Sequence, residues 1–227
     1  VRVPKNQHYK YEESNIQGIK FFLDFCDRKK IKYVIYASSS SVYQNSTNKF
    51  NEIDTELNPI SEYGKSKLAN EKLATKLSLK HDLSFIGLRF FSVYGEYGRS
   101  DMAYYKFPLN ALYEKKIILN NFGNDFRDFT HISDIVNGIQ KLIKSANNIK
   151  KSENFNFGSN NPIKVKKIIT MLKGRTKFKL RIINKGKNNL DPLVTNANIQ
   201  RAKKVFGYNP VIKFEKGYSN FIDWFLK

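Results

Sequence analysis

Tyr63 and Lys67 stand four positions apart in the stretch YGKSKLANEK, and four consecutive serines, Ser38 to Ser41, close an upstream run, KYVIYASSSS. Residues i and i+4 share one face of a helix, so the phenol and the ammonium would lie together. A lysine charge beside a tyrosine lowers the phenol's pKa and favours phenolate, a group able to act as general base or acid on an alcohol or sugar hydroxyl. A serine at a strand end could hydrogen-bond the same substrate oxygen. By itself Tyr-x-x-x-Lys is weak, because a chain with 13 tyrosines and 40 Lys and Arg residues produces the spacing by chance. It describes equally well two residues of a solvated helical face. A serine on one strand end and the pair on the next helix form a more specific set.

That set needs particular elements to hold it. Apolar residues at 16, 19, 22, 23 and 26 of SNIQGIKFFLDFCDR have helical spacing, so Ser14 to Arg28 reads as a helix. Tyr33 to Ala37 is a short continuous apolar run that empties into the serines, the pattern of a buried parallel strand. Ser61 is a plausible N-cap for a helix running to about His81. Leu83 to Phe91 (LSFIGLRFF) reads as a second buried strand. Strand, helix and strand at crossover length make a right-handed βαβ unit and an α/β fold, and such sheets place ligands at the carboxyl ends of their strands. After Gly95 the pattern changes: a helix over 102–115, a strand over 116–119, a turn at Gly123, a helix opening near Ser133 or Asp134, strand–turn–helix over NFNFGSNNPIKVKKIITML, and a last amphipathic helix. The change of pattern suggests a second subdomain after about residue 97.

Composition narrows the partners. With 227 residues and 41% hydrophobic content the chain can bury a proper core. No apolar run approaches a membrane span, and no membrane partner is expected. One cysteine, Cys26, excludes an intramolecular disulfide and a cysteine metal cage, fits a reducing, cytoplasmic compartment, and leaves no metal site in view. The net charge of +20 suggests anionic partners, yet the basic residues are spread along the chain without an aromatic-interleaved cluster. Lys, Asn, Ile, Phe and Tyr are abundant together, as AT-rich coding produces. Weak, salt-sensitive adhesion to polyanions is expected, and no specific nucleic-acid partner.

Several separate stretches keep one order: YASSSSVY, PISEYGKSK, LRFFSVYG, GRSDMAYYKF, FRDFTHISDIVNGI, NFNFGSNNP and VTNANIQRAKKVFGYNP. Together they resemble the extended short-chain dehydrogenase/reductase superfamily, its NAD-dependent epimerase/dehydratases, and within these most nearly the UDP-glucuronate 4-epimerases. The similarity runs from VRVPKNQHYKYEESNIQG to the last helix. The resemblance implies that residues 1–97 are part of a Rossmann-type doubly wound parallel sheet and that 98–227 are mainly a smaller α/β substrate-binding subdomain from which some segments return to the sheet. It also implies a tightly held NAD, a UDP-sugar substrate, a 4-keto intermediate, a homodimer through the helix bearing Tyr63, and a place in carbohydrate metabolism and polysaccharide biosynthesis. It makes Ser39 the catalytic hydroxyl, Tyr63 the acid–base group, and Lys67 the residue that tunes Tyr63 and holds the nicotinamide ribose. Ser40, Ser41, Ser92 and Arg99 match positions around the hexuronate carboxylate, a group that a guanidinium fits bidentately. Arg127 matches an arginine that meets the diphosphate. Asn15 matches an asparagine near the cofactor, with a helix N-cap as the alternative.

The chain departs from the pattern in three places. Gln44 replaces the glycine of Val-Tyr-Gly, and Ser100 the proline after Arg99. No Gly-x-x-Gly-x-x-Gly occurs among the 227 residues, so the loop that would cradle the NAD pyrophosphate is not among them. With Val1 as first residue, the expectation is a fragment lacking roughly the first four strands of the Rossmann half, with an exposed sheet edge, poor NAD binding and no activity of its own. A UDP-glucuronate decarboxylase or another nucleotide-sugar dehydratase is the competing enzyme class. Dehydratases place Asp-Glu after the catalytic hydroxyl, where this chain has Ser40-Ser41, and decarboxylases share the uronate substrate. A non-catalytic remnant or basic binding module is the third reading.

Overall fold

Three parallel strands organise the chain in its computed structural model, which describes residues 5–43, 49–53, 57–80, 83–149, 151–187 and 192–227. They are β1 (Tyr33–Ser39), β2 (Ser84–Phe90) and β7 (Ser152–Phe157), in the order β1-β2-β7. The register sets Ser38 beside Arg89 and Ser39 beside Phe90, with Asn156 on the far side of Arg89. Before the sheet come α1 (Tyr9–Glu12), a five-residue π-helix (Glu13–Gln17) and α2 (Gly18–Arg28). The helical reading of Ser14 to Arg28 therefore holds with a widened first turn. Ile19 and Cys26 point into the core, while of Leu23 only the backbone is described.

The crossover from β1 to β2 is α3 (Glu62–Ser78), and Ser61 caps it, its hydroxyl accepting from the Gly64 N–H at 3.0 Å. Strand β2 is buried on both faces, which is why its sequence is a continuous apolar run. Phe85 packs with Val34, Ala74 and Cys26 on the side of α2 and α3. Ile86 and Leu88 face the opposite layer, made by α5 (Ile132–Ser145), α7 (Gln200–Phe206) and the aromatics Phe155, Phe157 and Tyr208.

A second core joins α4 (Ala103–Leu112), α6 (Lys166–Arg175) and α8 (Phe214–Phe225) around Tyr104, Phe107, Phe214, Tyr218 and Phe221. Short sheets stitch it together: β3 (Ser92–Tyr94) with β6 (Phe129–His131), β4 (Lys116–Leu119) with β9 (Arg181–Asn184), and β5 (Phe126–Arg127) with β8 (Ile163–Lys164). Helix α5 opens at Ile132 with His131 as its cap, the ring Nδ1 accepting from the Ser133 N–H. Among the described residues β1 pairs only with β2. On the same flank, Phe21, Phe22 and Phe25 of α2 are 76%, 48% and 46% exposed, a dense apolar patch for a surface helix.

Candidate active site

The serine run ends β1 and turns at once into a 3-10 helix, Ser40–Val42, so Ser38 and Ser39 remain on the strand while Ser40 and Ser41 form the turn. The Ser39 hydroxyl accepts from the Ser41 N–H at 3.1 Å and lies close enough to the Tyr63 phenol to favour its ionised form. Gly64 makes this approach possible. A methyl at that position would lie 2.3 Å from the Ser41 carbonyl oxygen and 2.8 Å from the Pro59 Cβ, so any larger residue would push α3 off the serine turn.

Lys67 lies one turn further, its Nζ 5.8 Å from the centre of the Tyr63 ring. It donates to the Ala37 carbonyl at 3.1 Å, and burial draws its pKa below the ordinary lysine value. Burial also pushes the Tyr63 phenol upward, against a pull from the Ser39 hydroxyl and from the Arg99 charge. The Lys67 ammonium is bonded to the strand carbonyl while lying 5.8 Å from the Tyr63 ring centre, and the Arg99 charge also favours phenolate. Arg99 itself is held by Asp101 in a two-pronged contact, Nε to Oδ1 at 3.0 Å and Nη2 to Oδ2 at 2.5 Å. That is the geometry in which a guanidinium takes any carboxylate.

Asn15 sits inside the π-helix rather than at a helix start, so the N-cap alternative does not apply. Its amide donates to the Ser66 hydroxyl at 3.0 Å, and Ser66 in turn donates to the Tyr63 carbonyl at 2.8 Å. Ser92 opens β3 at the same sheet end, two residues beyond Phe90, the register partner of Ser39. Arg127 Nη1 donates to the carbonyls of Phe126 and Pro192 at 2.8 and 2.7 Å, with Asp125 at 3.6 Å. Ser100 lies in the turn before α4, and Gln44 lies outside the described residues. Among the described residues no three His, Cys, Asp or Glu side chains gather to hold a metal, and no helix is long and apolar enough to cross a membrane.

Sequence reasoning missed the polar layer directly beneath these groups. Glu71 and Arg89, both buried, form a two-pronged ion pair at 2.9 and 2.7 Å, and the Ser38 hydroxyl donates to Glu71 Oε1 at 2.5 Å. Arg89 also donates to the Tyr43 hydroxyl, which donates to Asn156. Burial alone would weaken the arginine's hold on its proton, but its bonds to Glu71 and Tyr43 outweigh burial and strengthen it. The available signal was a charged residue inside the apolar run LSFIGLRFF, with a glutamate four positions after Lys67.

A Rossmann-type parallel sheet with a hydroxyl at one strand end and a Tyr-x-x-x-Lys pair on the following helix defines a class of nucleotide-cofactor enzymes. Residues 2–158 match the NAD dependent epimerase/dehydratase family, and the chain belongs to it. An uncharacterised protein of Methanocaldococcus jannaschii is 40% identical over 232 residues, covering all of this chain and 69% of that protein. UDP-glucuronate 4-epimerase 3 of Arabidopsis thaliana is 36% identical over 242 residues, all of this chain but 56% of the plant enzyme. UDP-glucuronic acid 4-epimerase from Bacillus cereus, solved with UDP-glucuronic acid and NAD, superposes with a TM-score of 0.86 at 28% identity over 92% of this chain and 66% of that one. MoeE5 in complex with UDP-glucose and NAD gives a TM-score of 0.90 at 27% identity, covering 97% and 74%.

Proposed function

We propose that this chain carries the acid–base site of a nucleotide-sugar 4-epimerase that interconverts UDP-glucuronate and UDP-galacturonate. The observation that carries the reading is the gathering at the carboxyl end of β1 of the Ser39 hydroxyl, the Tyr63 phenol on which Ser39 and the Arg99 charge act, and Lys67, whose Nζ lies 5.8 Å from the Tyr63 ring centre and donates to the Ala37 carbonyl. Tyr63 takes the proton of the sugar C4 hydroxyl and returns it, and Ser39 holds the same oxygen through both steps. Arg99, with Ser40, Ser41 and Ser92 nearby, binds the hexuronate carboxylate. Arg127 meets the diphosphate.

The residues present fit one end of the cofactor. Lys67 offers a half-buried cationic donor and Tyr63 a phenol on the same helical face, and with Asn15 they would hold the nicotinamide-ribose end of NAD. Bound there, NAD would accept the C4 hydride and return it to the other face of the 4-keto sugar. No glycine-rich cradle for the diphosphate of NAD lies in these 227 residues. A homodimer through α3 and a cytoplasmic setting belong to the same reading.

One observation favours epimerisation over dehydration: Ser40-Ser41 offer no carboxylic acid to drive elimination. Arg99 gives a uronate carboxylate an ionic partner, which a decarboxylase would share. The test is incubation with UDP-glucuronate and NAD of these 227 residues joined to a glycine-rich NAD-binding half, because the 227 residues alone are expected to bind NAD poorly and to be inactive. UDP-galacturonate is the expected product; UDP-xylose with carbon dioxide would make it a decarboxylase, and no conversion by the joined protein would sink the enzymatic reading. Tyr63→Phe should lower turnover by about 10²- to 10⁴-fold, the usual contribution of a general acid–base group. An unchanged rate would point to a non-catalytic role.

A further inference from the structure

Helix α3 presents a stripe of three residues to the end of β1, each a turn after the last: Tyr63, Lys67 and Glu71. The Tyr63 phenol lies by Ser39, Lys67 donates to the Ala37 carbonyl, and Glu71 accepts from the Ser38 hydroxyl. Three successive helical turns therefore meet three neighbouring residues of β1, though not in strand order. We propose that Glu71, acting through Ser38 and Arg89, is a positioning residue that sets the azimuth and height of α3 so that Tyr63 meets Ser39. The mechanism above does not use Glu71, and the family assignment says nothing of it.

The argument for positioning rather than stability comes from what a buried ion pair does. Glu71 and Arg89 are 3% and 2% exposed, so both charges lose nearly all their water. A well-packed apolar pair of similar size commonly stabilises a fold as well or better. Directionality is what apolar groups lack. Glu71 Oε1 is shared between Ser38 and Arg89 Nε, while Oε2 takes Arg89 Nη2, so the carboxylate is fixed from two adjacent strands at once. Those strand residues are register partners, and Asn156 continues the row onto the third strand, bonded through Tyr43. This polar row lies one residue short of Ser39 on β1. Apolar packing would let α3 turn or slide by a fraction of an ångström without penalty; the carboxylate would not.

The positioning claim rests on the reading of Ser39 and Tyr63 as the reacting pair, but it is testable without turnover. The experiment compares wild type with Glu71→Leu/Arg89→Met, Glu71→Gln, Ser38→Ala and Ser39→Ala. It reads the melting temperature, the pH titration of the Tyr63 13Cζ signal (assigned with Tyr63→Phe), and turnover of UDP-glucuronate with NAD. In Glu71→Leu/Arg89→Met the melting temperature should stay near wild type while the Tyr63 titration moves to higher pH, as in Ser39→Ala, and kcat falls at least tenfold at unchanged KM. Glu71→Gln keeps an oxygen for Ser38, so it should lose stability yet hold the wild-type titration. A folded double variant with a wild-type Tyr63 titration overturns the proposal. Should the double variant not fold, Ser38→Ala, which leaves the ion pair intact, decides on the same titration. Absence of turnover in wild type would defeat the functional reading while the titration still decides the role of Glu71.

Discussion

Replacing Gly64 by alanine places a methyl group between the start of α3 and the serine turn. Its nearest neighbours would be the Ser41 carbonyl oxygen at 2.3 Å and the Pro59 Cβ at 2.8 Å, neither of which can swing aside. Relief to even 3.0 Å from the oxygen requires the helix and the turn to separate by about 0.7 Å. Overpacking of this kind costs about 1–3 kcal/mol, and alanine returns about 1 kcal/mol of helix propensity. The net loss is about 0–2 kcal/mol, a fall in melting temperature of up to roughly 8 °C for a chain of this size. Stability is the smaller effect. The same separation pulls Tyr63 from Ser39, and misplacement on this scale costs about 10²-fold in rate. The assay is conversion of UDP-glucuronate with NAD, alongside thermal unfolding. A Gly64→Ala protein with activity within twofold of wild type would refute the claim that the close approach at Gly64 sets the Ser39–Tyr63 geometry.

Further outcomes follow from the same structure. Arg99→Ala should raise KM for UDP-glucuronate by about 10- to 100-fold, the loss of a charged hydrogen-bonded pair, with UDP affinity unchanged by calorimetry. Asp101→Asn should lower that KM, because it releases the guanidinium from its internal carboxylate; equal KM values in both variants would remove Arg99 from substrate recognition. Burial raises the pKa of Tyr43, Tyr94, Tyr208 and Tyr218 in the folded chain, whereas unfolded tyrosines titrate near ~10. Their contribution is therefore complete below about pH 10 and declines as pH rises above it, so the part of the tyrosinate absorbance that belongs to these four of the 13 tyrosines should appear only with unfolding. Full 13-tyrosine absorbance in the still-folded chain would contradict their burial. Calorimetric titration of the 227-residue chain with NAD should show binding weaker than micromolar, because no glycine-rich diphosphate cradle lies within it; tighter binding would require another cradle.

Local pattern determined much of this protein. The apolar run of β2, the serine-ended β1, the Ser61 cap and the periodic face of α3 are each written within a few residues, because period and capping depend on near neighbours. The order of Ser39, Tyr63 and Lys67 along such elements was enough to expect them at one sheet end. Which polar atoms meet was decided only by the tertiary structure. Lys67 donates to the Ala37 carbonyl, the Arg99 charge acts on Tyr63, and Arg127 donates to the Phe126 and Pro192 carbonyls. Glu71 finds Ser38 and Arg89 across sequence separations of 33 and 18 residues. Burial, which pushes Tyr63 up and Lys67 down, is likewise a property of everything packed around them. Hydrogen bonds and pKa shifts depend on ångström distances between elements remote in sequence, and a pattern of period two or 3.6 carries no information about those distances.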